Sequence, residues 1–167
     1  MRTKSSMWFE IGIRHQETQS DGTEKLVTKK YVVDALSFTE AEGAIIEEMS
    51  AYISGEVKVK SVSQAAYGEV FFSENDDDDK WYKAKLQFIT IDEKTEKEKR
   101  SNVIYLVQAK SMACALRNID EVMGKTMIDY DTIGLTETKI IDVFEHKVAN
   151  TSSENDNNKS NNKKTEK

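Results

Sequence analysis

The sequence predicts an α+β fold built from two copies of one strand–strand–helix–strand–strand unit. The sheets are expected to be mostly antiparallel, with one helix per copy and a pseudo-twofold relation between the copies. Three observations predict it. First, Tyr31–Met49, YVVDALSFTEAEGAIIEEM, returns at Tyr105–Met123 as YLVQAKSMACALRNIDEVM. At an offset of 74, Tyr31, Val33, Ala35, Ser37, Ala41, Ile45, Glu47 and Met49 meet identical residues, eight in nineteen positions. Second, at an offset of 73 the only two tryptophans coincide, Trp8 with Trp81, and Val70-Phe71 coincides with Val143-Phe144. Self-similarity at a fixed period marks a repeated supersecondary unit. Third, each copy pairs alternating strands with one helix that has a single apolar stripe. A helix covering one face of a sheet points to an α+β fold with antiparallel pairing.

The elements follow in order. Residues 1–6, MRTKSS, read as a ragged N-terminus, and with no apolar run behind Arg2 and Lys4 they do not form a secretory signal. Trp8–Arg14 alternates, with Phe9, Ile11 and Ile13 on one face of a first strand. QETQSDGTE, residues 16–24, is a polar loop whose Asp21-Gly22 is a hairpin signal. A second strand covers about 26–35. Ser37-Phe-Thr-Glu40 is a capping box: the Ser37 hydroxyl accepts the backbone N–H three residues on, and Glu40 reaches back to the Ser37 amide. Phe38, Ala41, Ile45 and Met49 then share one helical face. Extended runs follow at about 56–62 and 67–72, and the acidic stretch 74–80 is the linker.

The second copy repeats the plan. Trp81–Ile91 carries Tyr82, Ala84, Leu86 and Phe88 on one face, DEKTEKEKRS (92–101) is a loop, and a strand covers about 102–109. Met112, Ala115, Ile119 and Met123 repeat the helical stripe behind Ser111, with Cys114 in the place of the capping Glu and hence a weaker cap. Extended runs close it at about 127–135 and 138–145. The copies span 7–73 and 81–146. Each is too small for a strong core alone, so they are expected to pack as one domain. Residues 147–167 lack apolar periodicity, are rich in Asn, Ser and Lys, and are expected to be disordered.

Composition bounds the function. The net charge is -6. The residues after His146 carry five Lys against three acids, which leaves the rest of the chain at -8. A bulk basic footprint for duplex nucleic acid is missing, leaving room only for a local basic stripe. The one cysteine, Cys114, rules out an internal disulfide and fits a reducing compartment. No apolar run approaches the length of a membrane span. Proline is absent, which argues against a Pro-rich linker or Pro-directed partners.

Catalytic chemistry finds little to stand on. His15 and His146 are the only histidines, each at an expected strand end, and no clustered ligand spacing surrounds them, so no metal or cofactor is expected. Cys114 lies in the first turn of a helix, where a thiolate is favoured, but it has no local His partner and reads as a core-rim residue. Asp76–Asp79 lacks the alternating ligands, glycine and distal Glu of a calcium loop and reads as a solvated linker. There is no Gly-rich phosphate loop and no G-x-S-x-G, so no enzyme is expected.

Binding is the class that remains. Trp81, Lys83, Lys85 and Gln87 share the strand face opposite Tyr82, Ala84 and Leu86, and in the first copy that face holds Trp8, Glu10, Gly12 and Arg14. Lys58 and Lys60 alternate with Val57 and Val59. An aromatic ring with spaced lysines on an open sheet suits single-stranded DNA or RNA, since stacking is worth roughly 1–3 kcal/mol per base and phosphates pair with the cations. The alternative is that both tryptophans plug the interface between the copies. The protein is then a protein-interaction or inhibitor module with a host-factor or phage-assembly partner. A homo-oligomer fits either reading.

Tyr31-Val-Val-Asp-Ala35, together with MWFE near the start and the Trp-aromatic openings of both copies, resembles a family of small uncharacterised proteins. That family belongs to gut Bacteroidetes and to their phages and mobile elements, and its hallmark is a YLVDA-type motif, here with Val32 for Leu. The resemblance covers about residues 7–146. It implies a cytoplasmic setting in a bacterial or phage-infected cell and brings no activity with it.

Overall fold

The computed structural model describes residues 1–145; the expected disordered tail, 147–167, and His146 lie outside them. The fold is α+β with two mixed, mostly antiparallel sheets and two helices. In chain order the elements are β1 (Arg2–Lys4), β2 (Trp8–Thr18), β3 (Glu24–Asp34), α1 (Phe38–Ser50), β4 (Lys58–Ala65) and β5 (Glu69–Phe72). Then come β6 (Lys80–Ile91), β7 (Glu98–Ala109), α2 (Met112–Met123), β8 (Asp129–Glu137) and β9 (Ile140–Phe144).

One sheet has the order β4-β2-β3-β9 and the other β8-β6-β7-β5-β1. The last strand of each half therefore leaves its own half. β9 runs parallel to β3, with Val32 opposite Val143, and β5 runs parallel to β7, with Val70 opposite Leu106. All other pairs are antiparallel.

Two expectations change at the N-terminal end and at the hairpins. Residues 2–4 are not ragged. They form β1, an edge strand antiparallel to β5, with Arg2 opposite Phe72 and its guanidinium 4.3 Å from that ring's centre. Lys4 Nζ lies 2.5 Å from a carboxylate oxygen of the buried Asp34, an ion pair that ties β1 to the other sheet. The hairpin strands also run further than their apolar residues do. β2 continues to Thr18 and β7 starts at Glu98. Polar residues there ride on ladder hydrogen bonds beyond the core, so alternation cannot mark them. The first hairpin turns where expected, with Gly22 at φ +85°.

Packing forms three apolar layers. α1 lays Ala41, Ile45 and Met49 on Phe9, Ile11 and Ile13. α2 lays Ala115, Ile119 and Met123 on Tyr82, Ala84 and Leu86. Between the sheets, Trp8, Val32, Val70, Phe72, Trp81 and Leu106 form the third layer. Trp8 is 0% exposed and Trp81 2%. Each such ring removes roughly 150–250 Å² from water, about 4–6 kcal/mol at about 25 cal/mol per Å². Trp8 Nε1 is a buried donor without a partner among the described residues, a cost this layer carries.

The sheets share a further detail. Each first strand shifts register against its third-strand neighbour, between Gly12 and Ile13 in β2 and between Lys85 and Leu86 in β6. The residue pairs at the shift are Gly12–Ser61 and Lys85–Gly134, so one partner is glycine each time but on opposite strands. A Cβ on Gly12 would stand 2.7 Å from Ser61 Oγ, and one on Gly134 would stand 3.4 Å from Lys85 Cβ. A Cβ at Gly12 would require the Ser61 hydroxyl to move, whereas one at Gly134 would only touch Lys85 Cβ.

Both helices are capped, by different means. Ser37 and Ser111 accept from the amides of Glu40 (3.1 Å) and Cys114 (3.2 Å). Glu40 reaches back to the amide of Leu36, at 3.2 Å, rather than to that of Ser37. At α2 the corresponding amide is that of Lys110, and it donates to Asp78 at 2.9 Å. Asp78 also accepts from the Ser73 hydroxyl at 2.5 Å and from the Cys114 thiol at 3.4 Å. The acid run is therefore not solvated throughout. Asp76, Asp77 and Asp79 are exposed, but Asp78 is buried and supplies the carboxylate that Cys114 lacks.

Two outcomes test this packing. Gly12→Ala should cost about 1–3 kcal/mol by overpacking, and Ser61→Gly in the same chain should recover at least about 0.5 kcal/mol of it. Strict additivity in denaturant melts would show that the pair does not share the space. Asp78→Ala should cost about 2–3 kcal/mol by orphaning the Lys110 amide and the Ser73 hydroxyl, while Asp77→Ala should stay within about 0.5 kcal/mol. Equal effects would remove Asp78 from the cap.

Candidate functional site

Two surfaces collect polar side chains. The first lies where the faces of the two sheets turned away from their helices meet. Trp8 and Trp81 close that junction. They are buried, so neither presents a ring to a base. The expected stacking platform is a packing layer instead, as the alternative reading had it. Beyond the tryptophans the faces become polar. Glu10, Tyr67, Lys83 and Ile104 line one cleft of about 230 Å³ between the sheets. Glu10 is engaged there: it accepts from the Tyr67 hydroxyl and lies 3.4 Å from Lys30. Burial, and then the hydrogen bond to Glu10, hold the Tyr67 phenol well above the usual tyrosine range.

The other candidates extend these faces. Lys85 is exposed next to Lys83 along β6. Gln87 is tied down: its amide donates to Asn102 at 3.2 Å and accepts from Arg100 at 2.9 Å, and Arg100 also pairs with Asp131 at 3.3 Å. On the other sheet Arg14 lies opposite Lys58, and Lys60 is exposed at the bulge. Among the described residues Arg14, Lys58, Lys60, Lys83 and Lys85 make no ion pair. Of the anions that the register places on these faces, Glu10, Asp34, Glu98 and Asp131 are paired, whereas Glu24 and Asp129 make no ion pair among the described residues.

The second surface is a cavity of about 560 Å³ on the α1 side of the first sheet. Tyr31 and Phe144 stack in its wall, ring centres 5.8 Å apart and planes 22° apart. Tyr52, 78% exposed, stands at the rim. His15, Asp142 and the Lys29–Glu17 pair, 3.1 Å apart, supply its polar groups. His15 is buried within β2 rather than a surface residue at a strand end, with Nδ1 3.1 Å from the Gln16 carbonyl oxygen. Burial pushes the Tyr31 phenol up, helped by Asp142 and then Glu17. Burial also raises the Asp142 carboxyl, against the pull of the Val143 amide. Single-residue reasoning missed this cavity. The signal was present in the comparison of halves, where His15 stands at the place of Phe88.

Among the described residues no three His, Cys, Asp or Glu side chains gather as a metal site requires. No helix there is long and apolar enough to cross a membrane. Residues 7–146 match the family described as Domain of unknown function (DUF4494). The chain belongs to the DUF4494 family. No curated protein and no solved structure matches it. DUF4494 membership thus covers both sheets, both helices and both surfaces, and leaves out only β1 and the C-terminal residues.

Asp142 offers a test by pH. Its raised folded-state value means that it contributes stability fully below the ordinary carboxylate range, and that this is lost as pH rises through the folded value. Asp142→Asn should therefore melt higher than the parent at neutral pH and coincide with it below about pH 3. A constant difference across that range would show that burial does not act on this carboxyl.

Proposed function

We propose that this DUF4494 protein is a non-catalytic binding protein that takes single-stranded nucleic acid along the basic faces of its two sheets. The supporting observation is the unpaired set Lys83, Lys85, Arg14 and Lys58, on the faces that converge at the tryptophans of a chain whose net charge is -6. In an acidic protein, cations without partners mark the place where a polyanion finds the least repulsion. Phosphates pair with these side chains, and Lys60 extends the row. Trp8, Trp81 and Gln87 have structural tasks and take no part in contact. On this reading the protein acts in the cytoplasm of a bacterial or phage-infected cell.

The same reading treats the chain as a duplicated unit with pseudo-twofold symmetry. The equivalent strand orders, the equivalent bulges and the reciprocal Gly12–Ser61 and Lys85–Gly134 pairs support it. A rival has one observation in its favour. With both tryptophans buried, the basic faces lack an exposed ring for stacking, and an acidic protein segment needs none. That would make the chain a protein-interaction or inhibitor module.

Labelled single-stranded DNA and RNA, titrated at two salt concentrations, separate these readings. Affinity should fall with salt, and Lys83→Glu with Lys85→Glu should lower the log–log slope by about 1.4. Absence of binding at low salt would end the nucleic-acid reading. Equal affinity for polyglutamate would favour the rival.

A further inference from the structure

The cavity at Tyr31 lies in the first half, and the residues that differ there from the second half can be named. In the second half Phe88, Val103 and Tyr130 pack against the α2 core. Phe88 sits edge-on to Tyr105, the counterpart of Tyr31, with centres 6.2 Å apart, and Phe71 packs on the same ring at 5.2 Å. Phe88 and Tyr130 are cross-strand partners, so together they fill the space beyond Tyr105. At the corresponding places the first half has His15, Lys29 and Val57. A phenyl ring is matched by a polar imidazole, a valine by a cation and a tyrosine by a smaller valine. The aromatic wall persists: Tyr31 and Phe144 stand where Tyr105 and Phe71 stand.

A core that only needed filling would not keep the wall and lose the plug. The opening has the size of a small-ligand pocket, roughly 300–1,000 Å³, at about 560 Å³. Its chemistry is also selective. Two aromatic faces and the rim Tyr52 favour a flat ring. Asp142 lies beside Tyr31 in the parallel β3–β9 ladder, so its carboxylate stands at the edge of that wall as a hydrogen-bond acceptor. Its Oδ1 takes only the Val143 amide, at 2.8 Å, which leaves acceptor capacity. Lys29 is neutralised by Glu17, so the pocket gives an anion no free cation.

We propose that this cavity binds a planar nitrogen heterocycle of nucleobase size, stacked on the Tyr31–Phe144 wall and donating ring or exocyclic N–H groups to Asp142. The ring lies beside His15, the counterpart of Phe88, in the space that the second half fills with Phe88 and Tyr130. The base comes either from a free nucleoside or from one residue of a strand, and both sources present the same flat face and the same donors.

The test uses the full chain and titrates adenosine, guanosine, cytidine and uridine separately, read by tyrosine fluorescence and by amide shifts of Tyr31 and Asp142. Saturable binding of at least one nucleoside is expected. Asp142→Asn should weaken it about tenfold. His15→Phe, which inserts the plug of the other half, should abolish it while the chain still melts cooperatively. Lys83→Glu with Lys85→Glu should leave nucleoside binding unchanged, which separates this site from the basic faces. Short single strands form the second arm: a strand that binds while the free nucleosides do not, and that loses affinity in His15→Phe, places the base within a polymer. Absence of any nucleoside or strand effect of His15→Phe and Asp142→Asn would overturn the proposal.

Discussion

Everything in this molecule depends on the layer made by Trp8 and Trp81. A four-stranded sheet with one helix covers one face and leaves the other open. Neither half has a second helix to close it. Each sheet instead covers part of the other's open face, and the two indoles are the largest side chains in that contact. The chain crosses between sheets by three short connections, residues 5–7 between β1 and β2, 66–68 between β4 and β5 and 138–139 between β8 and β9. The Thr138 amide and hydroxyl both bond the Trp81 carbonyl, at 2.9 and 2.7 Å. The Gly68 amide bonds the Ile104 carbonyl at 2.8 Å, under the Tyr105 ring, where a Cβ would stand 3.1 Å from it. Because the last strand of each half completes the other's sheet, removing either half removes a strand from both.

That arrangement decides where a ligand can go. Around the tryptophans the facing surfaces are apolar and dry, and further out they part and carry Lys, Arg and Ser. Charge is unevenly shared. The first sheet has Glu10 and Gly12 where the second has Lys83 and Lys85. At the register shift of each sheet a glycine faces the larger residue, Gly12 opposite Ser61 and Gly134 opposite Lys85.

Much of this was legible in the sequence. Both helices, their serine caps and their buried stripes follow from local rules, as do the hairpins. Three things were not. The exchange of β5 and β9 depends on pairings between residues far apart, and short apolar runs do not say which neighbour they seek. Asp78 is one acid among four, and only the geometry of α2 selects it as the cap. Polar ladder extensions such as Gln16–Thr18 and Glu98–Ser101 have no buried face, so periodicity is silent about them. The binding candidates were found by face and charge. The lysines stayed exposed, but the aromatic rings expected to join them were drawn into the core, because a large apolar surface between two sheets is worth more buried than offered to a ligand.

Comparing the halves position by position says more about function than either half alone. Where a residue serves the fold, the halves agree or compensate: Tyr31 with Tyr105, Met49 with Met123, Glu40 with Asp78. Where they disagree without compensation, the fold is indifferent and another requirement has acted. His15 against Phe88 and Lys29 against Val103 are disagreements of that kind, on the helix-facing side of a sheet where apolar residues would pack better. A buried histidine and a paired lysine beside an aromatic wall lower packing density with no structural return. Their position around a single cavity, rather than scattered over the sheet, is what turns a packing defect into a site.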